Sequence, residues 1–159
     1  MATQDEIVIE HPNRDKASSK LMKLIVVLFL LGSAVLVTVI TVGGWDALAG
    51  AQILQIAYIA LYVVMAFFVA RWQRGVLPVA AALAIILLIF AAVSAPEWFS
   101  RDKMGFTDPD LAAELLGTLT LIVVPVQAAL IVFAMLGFRQ GWNIEVERLA
   151  DGSTRSKPT

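Results

Sequence analysis

Four long stretches of the chain contain no charged residue, and each is long enough to cross a lipid bilayer. Crossing the hydrocarbon core takes about 20 apolar residues of helix, at a rise of ~1.5 Å per residue. A helix of a soluble domain keeps one polar face, where charges recur every few residues. The sequence therefore predicts four membrane-spanning helices, within Leu24–Trp45, Ala47–Ala70, Gly75–Pro96 and Leu115–Phe138.

The predicted fold is an all-α, integral membrane four-helix bundle with short polar tails. Hydrophobic residues make up 59% of the 159 residues and charged residues 16%, whereas average proteins are ~45–50% apolar and ~25% charged. The transmembrane domain is predicted over 21–138, with spans near 22–44, 48–70, 76–95 and 112–138. Residues 1–20 and 139–159 are predicted to be cytoplasmic tails.

The distribution of basic residues predicts the orientation. Ten of the 12 Lys and Arg residues lie in the two tails and in the connection between spans two and three. Only Arg101 and Lys103 lie in the connections on the opposite side. Cytoplasmic segments favour Lys and Arg, so we expect a multi-pass protein of the cytoplasmic (cell inner) membrane with both termini inside. The first apolar stretch is about twice the usual 7–15 residues of a signal peptide's apolar region, so we expect it to be retained.

The four tryptophans lie near the predicted ends of the spans. Trp45 and Trp98 are at the outer ends of spans one and three, and Trp72 and Trp142 are just beyond the inner ends of spans two and four. Tryptophan favours the boundary between membrane and water. We therefore predict that all four are interface anchors.

The chain has few of the residues on which catalytic and metal sites depend. It has no cysteine and one histidine, His11, in the N-terminal tail. The sequence thus excludes thiolate chemistry, Cys-ligated metals and a histidine-based triad within the membrane. We expect no enzymatic activity, no metal and no cofactor, and the absence of interleaved basic and aromatic residues predicts no nucleic-acid binding.

Polar residues on span two recur at helical spacing. Gln52, Gln55, Tyr58 and Tyr62 are 3, 3 and 4 residues apart, so they share one helix face. Polar side chains in hydrocarbon tend to face other helices. We favour interhelical hydrogen bonds, worth about 0.6–2 kcal/mol each, and the alternative is a polar cavity for a small ligand. Further polar residues join this set from spans one and four: Thr38, Thr41, Thr118, Thr120 and Gln127.

Local signals predict features of spans three and four. Pro125 cannot donate a hydrogen bond to the carbonyl of Leu121, which makes it a candidate kink.

Asp108 followed by Pro109 is typical of a helix start, so we expect the fourth helix to begin there. Span three carries Ser94 as its one polar side chain, and we expect it to be the helix most exposed to lipid or to a partner.

Both tails contain a strand-like segment. Ile7–Ile9 is a short apolar run, and Asn143–Leu149 alternates between apolar and charged residues. A cytoplasmic β-ribbon between the tails is one interpretation. We favour the other, two tails with transient structure.

Taken together, these features favour a non-enzymatic membrane subunit or scaffold that packs against a larger membrane complex. The alternative is a small passive transporter or channel for a neutral molecule, lined by the polar face of span two. Proton coupling needs an ionisable group at depth, and the charge-free stretches of the spans have no carboxylate, lysine or histidine. The expected partners are the lipid bilayer and either a membrane protein or a second copy of the chain.

Overall fold

The structure, a computed structural model, describes residues 7–101 and 108–149. These residues are mostly helical. Four helices within these residues are each long and apolar enough to span a membrane. Predictions for Asp102, Lys103 and the tail after Leu149 lie outside the described residues. In chain order the elements are β1 (Ile7–Glu10), α1 (Pro12–Asp15), α2 (Ala17–Gly43), a 3₁₀ turn (Trp45–Ala47), α3 (Gln52–Ala70), α4 (Val76–Phe99), α5 (Ala113–Arg139) and β2 (Val146–Leu149).

The four long helices pack as an open row rather than a closed ring. Helix α2 packs against both α3 and α5, and α4 packs most extensively against α5. Helices α3 and α4 barely touch, although only a tight turn separates them in sequence. We call the end of the bundle beside the two strands the terminal end. The opposite end, which carries the 3₁₀ turn and the start of α5, is the loop end.

Two apolar clusters fill the bundle. The cluster toward the terminal end includes Leu30, Tyr62, Leu77, Leu130 and Trp142, all with no exposed surface. The cluster toward the loop end joins residues of all the long helices except α3; its buried members are Ile40, Ala47, Ala91, Trp98, Leu116 and Val123. At the loop end, α3 is therefore the long helix that contributes no residue to the apolar cluster.

Helix α4 approaches α5 through small side chains. Its buried alanines lie at helical spacing, at positions 80, 81, 84, 91 and 95. Small residues let two helix backbones come close, which increases van der Waals contact. The prediction that span three is the most exposed helix is wrong, because α4 buries as large a share of its apolar segment as α3 and α5 do.

The helices begin and end at somewhat different residues from those that the sequence predicts. Helix α3 begins at Gln52 rather than near 48, because the 3₁₀ turn and two residues with positive φ, Ala49 and Gly50, precede it. Helix α4 continues through Pro96 to Phe99 instead of ending at 95. This extension places Trp98 in the loop-end cluster.

The predicted start of the fourth helix at Asp108 and Pro109 is wrong. Helix α5 begins at Ala113, and its N-cap residue, Ala112, makes no side-chain capping bond. The backbone N–H of Leu111 donates to the carbonyl of Gly43, at 2.9 Å. This bond to the end of α2 holds the preceding segment outside the helix.

The two tails form a β-ribbon, the interpretation that the sequence analysis did not favour. Strands β1 and β2 are antiparallel, with Ile7 opposite Leu149 and Glu10 opposite Val146. Two side chains that follow β1 in the sequence hold the two tails together at the base of the ribbon. Asn13 Nδ2 donates to the carbonyl of Gly141 (3.0 Å), and Arg14 Nε donates to that of Trp142 (3.1 Å). Both tails are therefore on one end of the bundle.

Candidate functional site

The predicted polar face of α3 turns mostly toward the other helices. Tyr58 and Tyr62 are buried and meet edge to face, with ring centroids 5.8 Å apart. Gln55, one turn before Tyr58, is half-buried. Gln52 differs: its Nε2 donates to the carbonyl of Trp45 and its Oε1 accepts from the N–H of Gly50, both at 2.9 Å. Gln52 thus stabilises the turn at the loop end.

A chain of hydrogen bonds inside the bundle connects three helices. Tyr62 Oη of α3 donates to Gln127 Oε1 of α5, at 2.8 Å. Gln127 Nε2 donates to Ser33 Oγ of α2, at 2.9 Å, and Ser33 Oγ donates to the carbonyl of Phe29. All three side chains are fully buried. We call these residues the Tyr62–Gln127–Ser33 network; its polar atoms satisfy one another, so they favour packing over ligand binding.

Ser33 is not among the predicted polar residues of the first span, which are Thr38 and Thr41. Ser33 nevertheless makes the contact to the fourth span. Serine in a helix commonly bonds to the backbone four residues earlier, so its presence alone is a weak signal. A stronger signal is its spacing of eight residues from Thr41, which places the two on the same side of α2.

A cavity of about 240 Å³ lies between the long helices at the loop end. It is bounded on one side by α3 and on the other by α4, with α2 and α5 behind. Most of its walls are apolar. Its lining residues are Val37, Ile40, Ala47, Leu48, Ala51, Leu54, Gln55, Tyr58, Leu87, Phe90, Ala91, Ser94, Glu97, Trp98, Arg101, Thr120 and Val123.

A few polar side chains interrupt the apolar walls of the cavity. Thr41 Oγ donates to Gln55 Oε1, which joins α2 to α3. Tyr58 Oη is 3.4 Å from the carbonyl of Leu83, a long hydrogen bond that spans the gap to α4. Thr120 Oγ donates to the carbonyl of Leu116 on its own helix, at 2.7 Å. Gln55, Tyr58 and Thr120 line the cavity, and Tyr58 closes it toward the terminal end.

Charged residues lie where the cavity reaches the loop end. Arg101 Nη2 donates to the carbonyl of Ala47, at 2.8 Å, and its guanidinium lies 4.8 Å from the centre of a ring of Trp98. Glu97, one turn before Arg101, is exposed. The cavity therefore combines an apolar interior with one acid and one base at its rim.

Besides Gln52, two predicted site residues lie away from the cavity and the network. Thr118 is exposed and donates to the carbonyl of Glu114 on its own helix, at 2.8 Å. Thr120, two positions later, takes the buried position instead. Pro125 is exposed within α5, which is helical on both sides of it. The predicted kink at Pro125 stays a prediction.

The tryptophans all lie near the ends of the bundle, but two of them face its interior. Trp142 is fully buried and meets Trp72 edge to face, with centroids 5.3 Å apart. Trp98 is 6% exposed, whereas Trp45 is 44% exposed. Trp98 and Trp142 therefore pack the protein, and among these four Trp45 has the surface best suited to an interface anchor.

The terminal end is basic, and two of its basic side chains reach the last turns of helices. Lys23 Nζ lies 3.5 Å from the carbonyl of Ala70 and 4.1 Å from a ring centre of Trp72. Arg74 Nε donates to the carbonyl of Phe138, at 2.7 Å. Cations are stabilising at helix C-termini, where carbonyls lack partners. Among residues 7–101 and 108–149, no three acidic or histidine side chains converge as a metal site would require.

Comparison with the models of known protein families, with curated proteins and with solved structures finds no match to this chain.

Proposed function

We propose that this chain is a small multi-pass protein of the cytoplasmic membrane, with both termini in the cytoplasm. Four helices of sufficient length and apolarity support membrane insertion. The β-ribbon places both tails at one end of the bundle, as an even number of spans requires. That end carries most of the basic residues, which favours the cytoplasmic side.

Within that membrane, we propose that it is a non-enzymatic subunit that packs against a larger membrane complex. The observation that carries this proposal is the Tyr62–Gln127–Ser33 network, in which the buried polar side chains bond to one another. Within the described residues, no buried side-chain nitrogen or oxygen lacks a hydrogen-bond partner. The interior of the bundle thus supports rigid packing, and its apolar outer faces are left for lipid and a partner.

The described residues also support the absence of enzymatic activity. Nucleophilic catalysis needs a base within hydrogen-bond reach of the nucleophile. The hydroxyls of Ser33 and Thr120 donate instead to backbone carbonyls. Among the buried residues of the part that the structure describes, none is charged.

Purification in mild detergent tests the subunit proposal. The tagged chain, produced at its natural level, is cross-linked in intact cells, solubilised and analysed by quantitative mass spectrometry. We expect one membrane protein in fixed stoichiometry, and a complex whose mass is not a multiple of 17.2 kDa. An unrelated four-span protein purified in parallel is the control. A complex made only of this chain would contradict the proposal.

The cavity at the loop end supports the alternative, a passive route for a neutral small molecule. Such a route would have to pass Tyr58 and the fully buried side chains beyond it, Tyr62 and Leu77. Because the half of the bundle beyond Tyr58 is closed, we rank the alternative second. Flux of small neutral solutes into proteoliposomes tests it: a flux abolished by Ser94→Phe, which fills the cavity, would favour the alternative over the subunit.

A further inference from the structure

We propose that the cavity between α3 and α4 is a lipid site that holds part of one acyl chain of a zwitterionic glycerophospholipid. The inference depends on membrane insertion, and it does not depend on the proposed partner complex. Three features support it: the direction in which the cavity opens, the character of its walls and the charges at its rim.

The cavity opens sideways, between two helices whose outer faces are apolar. Leu54 of α3 and Phe90 of α4 line it, and they are 45% and 50% exposed. Helices α3 and α4 scarcely touch, and no other element of residues 7–101 and 108–149 packs between them. In a bilayer the opening meets hydrocarbon, and the molecules that reach it are those dissolved in the membrane. Phospholipid is the most abundant of these.

The size and the walls of the cavity suit part of one acyl chain, because its volume is too small for a whole chain of a membrane lipid. Its volume, about 240 Å³, is below the ~300–1,000 Å³ typical of sites for drug-sized ligands. Leu87, Ala91 and Val123 supply apolar walls, and Tyr58 forms the floor. An acyl chain that enters here exchanges lipid contacts for protein contacts without burying a polar group.

One hydrogen-bond donor in the cavity has no partner among the described residues. Gln55 Oε1 contacts Thr41 Oγ, and Gln55 Nε2 makes no bond to any residue in the described ranges. Gln55 lies in the first turn of α3, within a few ångströms of the loop end. The ester carbonyl of a glycerophospholipid lies near the membrane surface at the top of its chains, and it is an acceptor that matches this amide.

The rim of the cavity carries both signs of charge. Glu97 is exposed and makes no ion pair within the described part of the chain, and Arg101 lies one turn later in the sequence. The carboxylate of Glu97 attracts the ammonium of a zwitterionic headgroup, such as phosphoethanolamine. A headgroup with a phosphate and no ammonium would be repelled by Glu97. The rim therefore favours zwitterionic over anionic lipid.

Native mass spectrometry of the whole chain tests the site directly. The protein is reconstituted in vesicles of equal parts phosphatidylethanolamine and phosphatidylglycerol, extracted in mild detergent and analysed for bound lipid. We expect one phosphatidylethanolamine molecule to be retained per chain. Retention of no lipid, or of both lipids equally, would overturn the proposal.

A matched pair of substitutions on α4 locates the lipid. Ser94 lines the cavity, whereas Ala92, two residues earlier, is exposed on another side of the helix. We expect Ser94→Phe to reduce the retained lipid at least fivefold and Ala92→Phe to leave it unchanged, with circular dichroism showing that both variants are folded. Equal retention by both variants would place the lipid elsewhere.

Two further variants test the polar contacts, and they keep the proposal testable should Ser94→Phe fail to fold. We expect Gln55→Leu to weaken retention, while Gln73→Leu in the exposed turn before α4 does not. We expect Glu97→Gln to remove the preference for phosphatidylethanolamine over phosphatidylglycerol. An unchanged preference in Glu97→Gln would show that the rim does not contact the headgroup. These lipid-retention results do not depend on whether the partner complex forms, because the tests use the purified chain alone.

Discussion

Gln127 is the side chain through which α2, α3 and α5 are hydrogen-bonded together. Its amide both accepts and donates, so it can bridge the hydroxyl of Tyr62 and that of Ser33. An apolar residue at this position would leave the phenol of Tyr62 without its acceptor in the interior. Unpaired polar groups in such surroundings are costly, which explains why an amide is useful there.

Gln127→Leu tests the energetic importance of the Tyr62–Gln127–Ser33 network. We expect it to lower the free energy of unfolding in detergent by about 1–2 kcal/mol, the upper range for interhelical hydrogen bonds. Thr118→Val is the control, since Thr118 is exposed and bonds only to its own helix. Its expected effect is within ~0.5 kcal/mol. Equal effects of the two substitutions on the unfolding curve would contradict the role assigned to Gln127.

The sequence predicts which residues are polar within the spans but not which way each helix is turned. Gln55, Tyr58 and Tyr62 could be assigned to one face because helical spacing alone fixes that relation. The choice between Thr118 and Thr120 could not be made, because it depends on the rotation of α5. That rotation follows from contacts such as Leu116 and Val123 in the loop-end cluster, and these form only in the folded bundle.

At the scale of the elements, hydrogen bonds between distant parts of the chain determine where α5 begins and whether the tails form a ribbon. Local sequence signals do not determine either. Asp108 and Pro109 form a good helix start, yet the bond from Leu111 to Gly43 keeps them outside α5. Each strand of the ribbon has only four residues, and an isolated two-stranded ribbon is marginal in water. The contacts of Asn13 and Arg14 with residues 141 and 142 provide additional stabilisation. These contacts join positions far apart in sequence, so no local pattern predicts them.

Gly32 within α2 and Gly44 at the C-cap of α2 provide a matched test of packing. A Cβ at Gly44 would lie 2.7 Å from the ring of buried Trp98 and 3.0 Å from the carbonyl of Ile40, whereas a Cβ at Gly32 meets nothing within 4 Å. We expect Gly44→Ala to destabilise the protein by about 1–3 kcal/mol through overpacking. Gly32→Ala is expected to be neutral or stabilising by up to ~1 kcal/mol. Thermal unfolding in detergent compares them, and the reverse order would refute this packing.

The ribbon register can be tested by disulfide formation, because the chain has no cysteine of its own. Ile9 is opposite Glu147, and the Cβ atoms of such pairs lie ~4.5–5.5 Å apart. We expect the double variant Ile9→Cys and Glu147→Cys to form a disulfide on mild oxidation of the purified protein. The pair Ile7→Cys and Glu147→Cys, which is two residues out of register, is the control. Faster formation in the control, measured by gel mobility, would contradict the register.

At the scale of the whole molecule, the number of long apolar helices is predictable and their arrangement is not. Charge-free stretches of sufficient length specify four helices, since length and apolarity alone define them. Helices that are apolar all round carry little information about which side faces which neighbour. The separation of α3 from α4, and hence the cavity, follows instead from the fit of the α4 alanines against α5.

The central claim is that four helices cross the membrane and leave both chain ends in the cytoplasm. Single-cysteine variants test it most directly, using a maleimide that cannot cross the membrane of intact cells. Four exposed positions serve, two at each end of the bundle: Asp46, Asp110, Ser18 and Gln73. The account predicts labelling of cysteines at 46 and 110 in intact cells, and of those at 18 and 73 only after permeabilisation. Labelling at 18 but not at 73 in intact cells would contradict it. Labelling of all four cysteines in intact cells would also contradict it.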